Sequence, residues 1–311
     1  VDSVTLDRLD RQLLHALQLD ARVPFSRIAT VLDVSDRTVA RRFARLRAAG
    51  GVRVSATSRS HTEWLVRLRV VPHGAAGLAR VLAGRADTAW VTLLSGGTEV
   101  ACVFRTGDAP LAELSRHPHV SDVTAQQLLR PLMDGSWPGR TSALTTEQAD
   151  ALRAPEADGA PVRPIELDRR LLPALAADGR AAGADLAGRV GWSESAVRRR
   201  LEDLRGSGVL RFHVEVDPAL FGYAAQCLLW LTVRPAQAAN VARQLAADTE
   251  TAYVAATTGS HHLLAVVVCR DQDHLYRYVY EQVSGRPGVE RVETATISAY
   301  AKRFAPTQDV R

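Results

Sequence analysis

The stretch SDRTVARRFARLRAAGG at 35–51 carries Arg37, Arg41 and Arg45 four residues apart, with Arg42 and Arg47 between and after them. On a helix that spacing gathers guanidinium groups on one side. Each guanidinium is a planar fork of donors that can grip a phosphate or both acceptors of a guanine edge. Thr38 adds a hydroxyl among them, and Val39, Phe43 and Leu46, four and three apart, form the opposing apolar stripe. A second stretch, SESAVRRRLEDLRGSGV at 193–209, sets Ser195, Arg198, Arg199 and Arg200 outside or at the flanks of Val197, Leu201 and Leu204. The chemistry on offer in both is polyanion binding.

Charge placement supports this better than total charge. The chain carries a net +5, but its cations are 38 arginines and the lone Lys302, alongside abundant Ala and Gly, as GC-rich coding would give. Residues 35–53 hold six arginines against Asp36, a local +5. Residues 193–211 hold five against Glu194, Glu202 and Asp203, a local +2. The cationic surface is therefore concentrated, and unevenly.

The two stretches belong to a longer repeat. Shifted by 158, residues 9–54 align with 167–212 without a gap, with 18 identities in 46 positions. LDRQLLHALQLDAR faces LDRRLLPALAADGR. Each copy reads as three helices. Leu9, Leu13, Leu14 and Leu17 recur at helical spacing; Ile28, Ala29 and Leu32 make a short second helix; Ser35 caps the third. Gly50–Gly51 and Gly208 supply the stops. A small residue in helix two, a left-handed turn and a branched residue in helix three fall at Ala187, Gly191 and Val197. In the first copy these are Ala29, Asp33 and Val39, and aspartate suits the left-handed turn less well than glycine. This is helix-turn-helix spacing, which places helix three to enter a major groove.

Downstream of each copy, apolar β-rich runs alternate with helical patterns in the order strand–helix–strand–strand–helix–strand. The first series runs from EWLVRLRVV to VSDVTAQQLL, the second from AQCLLWLTV to VERVETATISAY. That order describes a ferredoxin-like sheet. The expected fold is α+β: two winged or helix-turn-helix DNA-binding domains alternating with two ferredoxin-like βαββαβ sandwich domains. The expected boundaries are 1–56 and 57–132, a linker at 133–164 with one short helix near 146–153, then 165–214 and 215–311.

A helix-turn-helix opening with LDRRLLPALAADGR, followed by GWSESAVRRRLEDLRGSGVL, VEVDPALFGY and RPGVERVET, resembles the Lrp/AsnC (feast/famine) transcriptional regulators. In that family the N-terminal part binds DNA, and the sandwich dimerises and often senses a small molecule, commonly an amino acid. Family members pair two chains of about half this length. This chain looks like two such subunits in tandem, free to diverge, so its operator need not be a palindrome. The resemblance implies double-stranded DNA as partner, a small-molecule effector, a homo-oligomer, and no cofactor. Within the DNA-binding set are Arg37, Thr38, Arg41, Arg42, Arg45, Ser195, Arg198, Arg199 and Arg200.

The first half departs from the family pattern. It has no counterpart of VDPALFGY, which makes its connecting strand the one expected to be irregular, and its spacing to the sheet is five residues shorter. Family effectors lie near a TGxxD loop. Here the second half has Thr258, Gly259, Ser260, His261 and His262, and the first has Ser95, Gly96, Gly97, Thr98 and Glu99. With His262 at the acidic position, an amino-acid effector is in question for that half. Glycines in these loops are equally explained by a hairpin turn. His261 and His262, adjacent on a strand, would point apart and so would not share a metal.

Other functions find little support. Cys102, Cys227 and Cys269 lie far apart in apolar runs, as reduced core residues would. No phosphate-binding glycine loop or HExxH pattern occurs, and an enzyme is not expected. No run of about 18 apolar residues suggests a membrane span. VDSVTLDRLDRQLL does not read as a secretory leader, so a cytoplasmic setting without membrane association is expected. Two alternatives remain. Sirohaem decarboxylases resemble this family in architecture, and His261, His262 and His274 keep a tetrapyrrole enzyme open. An architectural DNA-binding protein without an effector is the other.

Overall fold

The computed structural model describes residues 6–58, 62–107, 111–133, 143–155, 157, 159–160, 162–303 and 305–306. The chain forms two compact units, each drawn from both halves of the sequence: Val1–Ser60 with Arg140–Phe221, and His61–Gly139 with Gly222–Arg311.

The first unit holds the repeat. Its first copy is α1 (Arg8–Leu19), α2 (Phe25–Leu32), α3 (Asp36–Ala48) and β1 (Val52–Ser58). α1 starts at a capping box in which Asp7 and Asp10 each accept the other's backbone N–H. α2 ends at Asp33, whose φ of 53° is left-handed, and Gly191 takes the same role at φ 76°. Leu13, Leu14, Leu17, Ile28 and Leu46 are fully buried, with Val39 and Phe43 beside them. Each such leucine contributes about 1.5–3 kcal/mol. A short helix, α6 (Thr146–Leu152), matches the one expected within the linker, and it seats Leu152, also fully buried, in this core. That part of the linker is therefore structural.

The second copy is α7 (Glu166–Ala177), α8 (Gly183–Val190), α9 (Glu194–Gly206) and β6 (Leu210–Val216). Its core gathers Leu171, Leu175, Leu186, Val197 and Leu204. The connecting strand expected to be irregular is not: all seven residues of β1 pair antiparallel with β6, without a register shift. Main-chain bonding to the equivalent strand of the other copy satisfies β1 whatever follows it. Ser55 faces His213 at the middle of the ladder, and these are equivalent residues of the repeat. A pseudo-two-fold axis thus passes through that pair.

In the second unit, β2 (Glu63–Val70), α4 (Pro72–Gly84), β3 (Thr88–Leu94), β4 (Glu99–Arg105), α5 (Leu111–Leu114) and β5 (Val120–Pro131) form one βαββαβ series. The other is β7 (Ala225–Val233), α10 (Ala238–Ala247), β8 (Thr251–Thr257), β9 (Leu263–Cys269), α11 (Gln272–Tyr276, continuing as a π-helical stretch Arg277–Val283) and β10 (Val289–Arg303). Both match the expected order. Strand order β10-β3-β4-β2-β5-β8-β9-β7 closes through β10–β7 into an eight-stranded barrel, with β11 (Ala305–Pro306) added beside β10. Each half contributes four strands, joined at β5–β8 and β10–β3.

Apolar side chains pack on both faces of the wall. Val66, Leu68 and Phe104 lie in the helix-side core of the first half, and Leu229, Leu231 and Tyr278 in that of the second. Leu65, Trp90, Val103, Leu228, Trp230 and Leu264 form a third core from both halves. All three cysteines are buried, with burial pushing the Cys227 thiol up to about 12. Among the described residues no helix is long and apolar enough to cross a membrane, and no group of three or more metal-ligating side chains forms a site.

Candidate nucleic-acid interface

The two third helices carry the expected basic residues, but not all on one surface. In α3, Ser35 accepts the backbone N–H of Thr38 at 3.1 Å, and its hydroxyl lies 2.8 Å from that of Thr38. Arg37, Arg41 and Arg45 are exposed, and Thr38 is half-buried. Among the described residues, Arg37 and Arg41 form no ion pair, so their guanidinium forks face solvent uncommitted.

Arg42 is committed. Its Nη1 donates to Asp7 Oδ2 at 2.6 Å and to Asp10 Oδ1 at 3.0 Å, while Arg45 Nη2 reaches Asp10 Oδ2 at 2.5 Å. Burial works to lower the Arg42 pKa, but the bonds from Asp7 and Asp10 outweigh it and hold the group firmly charged. Asp10 is fully buried, so these arginines supply the charge compensation it needs.

In α9, Ser193 caps the helix, and Ser195, Arg198 and Arg199 are exposed. Arg198 donates to Glu194 one turn earlier at 3.1 Å. Arg200 corrects the expectation of an outer or flanking position: it is 8% exposed. Its Nε and Nη2 bind Asp168 Oδ1 and Oδ2 at 2.8 and 2.6 Å, and Nη2 also reaches Arg163 O at 2.7 Å. Arg42–Asp10 and Arg200–Asp168 are the same pair in the two copies. The helix period alone places these arginines on a flank. The buried first-helix aspartate pulls them inward.

At corresponding exposed positions the surfaces differ. Arg37, Arg41 and Arg45 of α3 correspond to Ser195, Arg199 and Asp203 of α9. Both helices share one central arginine, Arg41 and Arg199.

The expected effector loops lie at the two joins of the barrel. Gly96 N–H donates to Ser298 Oγ at 3.0 Å, and Ser95, Gly96 and Gly97 all have positive φ, at 51°, 68° and 89°. Thr258 exchanges bonds with Gln127 at 3.0 and 2.9 Å, and Gly259 has φ 93°. Ser260 O accepts from Thr232 Oγ1 at 3.3 Å. His261 and His262 sit in the β8–β9 loop rather than on a strand.

The two acid-position residues are already occupied. Both oxygens of Glu99 accept from Arg67 Nη2, at 2.7 and 2.9 Å, and His262 Nδ1 accepts from Val233 N–H at 3.0 Å. Arg67 also bonds Glu293 at 2.5 Å and lies 4.2 Å from the centre of the Trp230 ring. His261 Nε2 is 3.4 Å from Glu293 Oε2. Burial lowers the His261 pKa, with Glu293 opposing. A cavity of about 150 Å³ lies elsewhere, between α11 and β10, lined by Tyr276, Tyr280, Thr294 and Thr296 among others; it includes none of the expected loop residues.

Several residues that organise these surfaces escape a search for basic patches. Asp10 and Asp168, Arg22 and Arg180, and Asp20 and Asp178 are all identities of the repeat, which was the signal available for them. Arg67, Glu293 and Trp230 carry no such signal.

Comparison with known proteins follows the same division. Residues 6–47 and 166–205 match the AsnC-type helix-turn-helix domain, and 226–305 match the Lrp/AsnC ligand binding domain. An uncharacterised HTH-type transcriptional regulator of Pyrococcus abyssi is 30% identical over 138 residues, covering 44% of this chain and 87% of that protein. The HTH-type transcriptional regulator FL11 of the same organism is 29% identical over 133 residues, 42% of this chain and 87% of its own. A solved siroheme decarboxylase, NirDL, is similar across 96% of this chain and 93% of its own, at a TM-score of 0.64 and 14% identity. That likeness extends the shared fold to the full tandem arrangement.

Proposed function

The chain belongs to the Lrp/AsnC family, and from that premise we propose that it is a sequence-selective transcriptional regulator of double-stranded DNA whose two fused halves act as a built-in pseudo-dimer. The observation that carries this reading is the pairing of α3 and α9 in one unit about the β1–β6 axis, each with an exposed central arginine, Arg41 and Arg199.

Arg37, Thr38, Arg41 and Arg45 form the DNA-facing set of the first helix, and Ser195, Arg198 and Arg199 that of the second. Arg42 and Arg200 act behind them by holding each third helix to its first. The stronger cation set on α3 makes it the electrostatic anchor, and α9 reads a different half-site. The operator is therefore asymmetric. Phosphate contacts position and base contacts specify, so the exchange of Arg37 for Ser195 and of Arg45 for Asp203 changes both.

The barrel is the seat of effector response and of further self-association into a homo-oligomer, in a cytoplasmic protein. The loops Ser95–Glu99 and Thr258–His262 remain the candidate effector region, through Gly96, Gly97, Gly259 and Ser260. The engagement of Glu99 by Arg67 argues against an amino group binding at that carboxylate. The protein is not an enzyme in this reading; likeness to NirDL at 14% identity supports a common fold and carries no activity.

The test is fluorescence anisotropy on the duplex flanking the protein's own gene against a scrambled duplex, over a salt series. Selective binding that weakens with salt is expected. Equal binding to both duplexes would favour an architectural role. No binding at low salt would defeat the reading, and tetrapyrrole absorption in the purified protein would favour the enzyme.

A further inference from the structure

The turn between the first and second helices of each copy carries an arginine, Arg22 and Arg180, at equivalent positions of the repeat. Arg22 Nη1 and Nη2 donate to the carbonyls of Gly179 and Ala181, at 2.6 and 3.1 Å. Arg180 Nη1 and Nη2 donate to the carbonyls of Ala21 and Val23, at 2.7 and 3.0 Å. Each guanidinium thus grips the carbonyls of the two residues on either side of the other arginine. The embrace is reciprocal across the pseudo-two-fold axis.

A second reciprocal set surrounds it. Arg47 bonds Asp178 at 2.9 Å and Arg205 bonds Asp20 at 3.0 Å, again equivalent pairs. Arg47 and Arg205 lie in the last turns of α3 and α9. The turn of each copy is therefore tied to the third helix of the other. Arg180 also lies over Phe25 and Phe43, 4.3 and 5.5 Å from their ring centres, and Phe43 belongs to α3 itself. Gly179 allows the close approach: its N–H bonds Val54 O at 2.9 Å, and a Cβ there would stand 2.9 Å from Val54 Cγ1.

This arrangement is costly in charge. Burial pushes the Arg180 guanidinium down to about 10, and Arg22 pushes it in the same direction. Asp20 and Asp178 only partly offset this. Partly buried like charges are a poor way to gain stability, but a fork spanning two fixed carbonyls is a good way to fix geometry.

We propose that Arg22 and Arg180 are positioning residues that set the separation and angle of the two third helices, and thereby the half-site spacing that this protein accepts on DNA. The spacing consequence rests on the DNA-binding reading; the positioning role does not.

Double electron–electron resonance between spin labels at Ala44→Cys and Glu202→Cys, equivalent exposed positions on α3 and α9, tests it in the full chain. The three native cysteines are buried and leave the label to the new sites. The parent is expected to give one narrow distance distribution. The Arg22→Ala/Arg180→Ala variant is expected to give one at least about twofold broader, at unchanged helix content by circular dichroism. If that variant unfolds, Arg22→Lys/Arg180→Lys is read in its place, since lysine keeps the charge without the fork. Equal narrow widths in parent and variant would overturn the proposal, as would a broad distribution in the parent. Broadening in a protein that fails to bind DNA would uphold the positioning role and defeat the regulator reading alone.

Discussion

Arg200 and Asp168 form a two-point ion pair, Nε–Oδ1 at 2.8 Å and Nη2–Oδ2 at 2.6 Å, with both side chains almost wholly buried. The pair ties α9 to α7 from inside. Removing one partner leaves a buried charge without compensation, which costs about 3–5 kcal/mol. Arg200→Ala should therefore lower the urea midpoint strongly. Arg42→Ala should cost clearly less, because Asp10 keeps the Nη2 of Arg45. Parallel urea titrations of the two variants check the difference.

The exposed arginines should behave in the opposite way. Arg41→Ala and Arg199→Ala should leave stability within about 0.5 kcal/mol of the parent. Each should weaken DNA binding and reduce the slope of log K against log salt by about one unit if it holds a phosphate. Anisotropy at several salt concentrations, paired with thermal melts, measures both.

The turn between the second and third helices offers a backbone test. Asp33 sits at φ 53° and Gly191 at φ 76°. A left-handed conformation costs an ordinary L-residue about 1–2 kcal/mol, and aspartate rather less. Asp33→Gly should thus stabilise by up to about 1 kcal/mol, and Gly191→Ala should destabilise by about 1–2 kcal/mol. Chemical denaturation of each single variant reads the sign directly.

His15 gives a pH prediction. Its Nδ1 accepts from the backbone N–H groups of Ala143 and Leu144, both at 3.3 Å, which holds the segment before α6 against α1. Burial, and then the charge of Arg153, lower its pKa below 6.5 in the folded protein. The unfolded chain binds the proton more readily, so the stabilisation is complete above about pH 6.5 and is lost as pH falls. The melting temperature of the parent should drop more between pH 7.5 and pH 5 than that of His15→Gln, whose amide oxygen can accept without titrating.

The repeat made much of this architecture readable. A shift of 158 identified both helix-turn-helix copies, and the run order after each identified the βαββαβ series. Local pattern sufficed there, because the apolar stripes of α3 and α9 and the cap at Ser35 are decided within a few residues of themselves. What stayed hidden depends on meetings between distant segments. Nothing near Arg200 in the chain says that it will turn inward, since its partner lies 32 residues earlier. The β1–β6 ladder was equally hidden, because a strand's sequence does not name the strand it will pair with. The sequence shows Glu99 as a loop residue at the acidic position, but not that Arg67, 32 residues before it, bonds both of its oxygens.

Arg67 and Trp230 occupy equivalent places in their halves: Arg67 is opposite Ala101 and Trp230 opposite Leu264, each pair spanning the first and third strands of its series. In the barrel the two meet as cation and ring. A pair of first halves would instead bring guanidinium against guanidinium, and a pair of second halves would deprive Glu293 of its arginine. The duplicated halves have become lock and key rather than two copies of one part. The contact of Arg67 with Trp230 and Glu293 is one that only unlike halves can make.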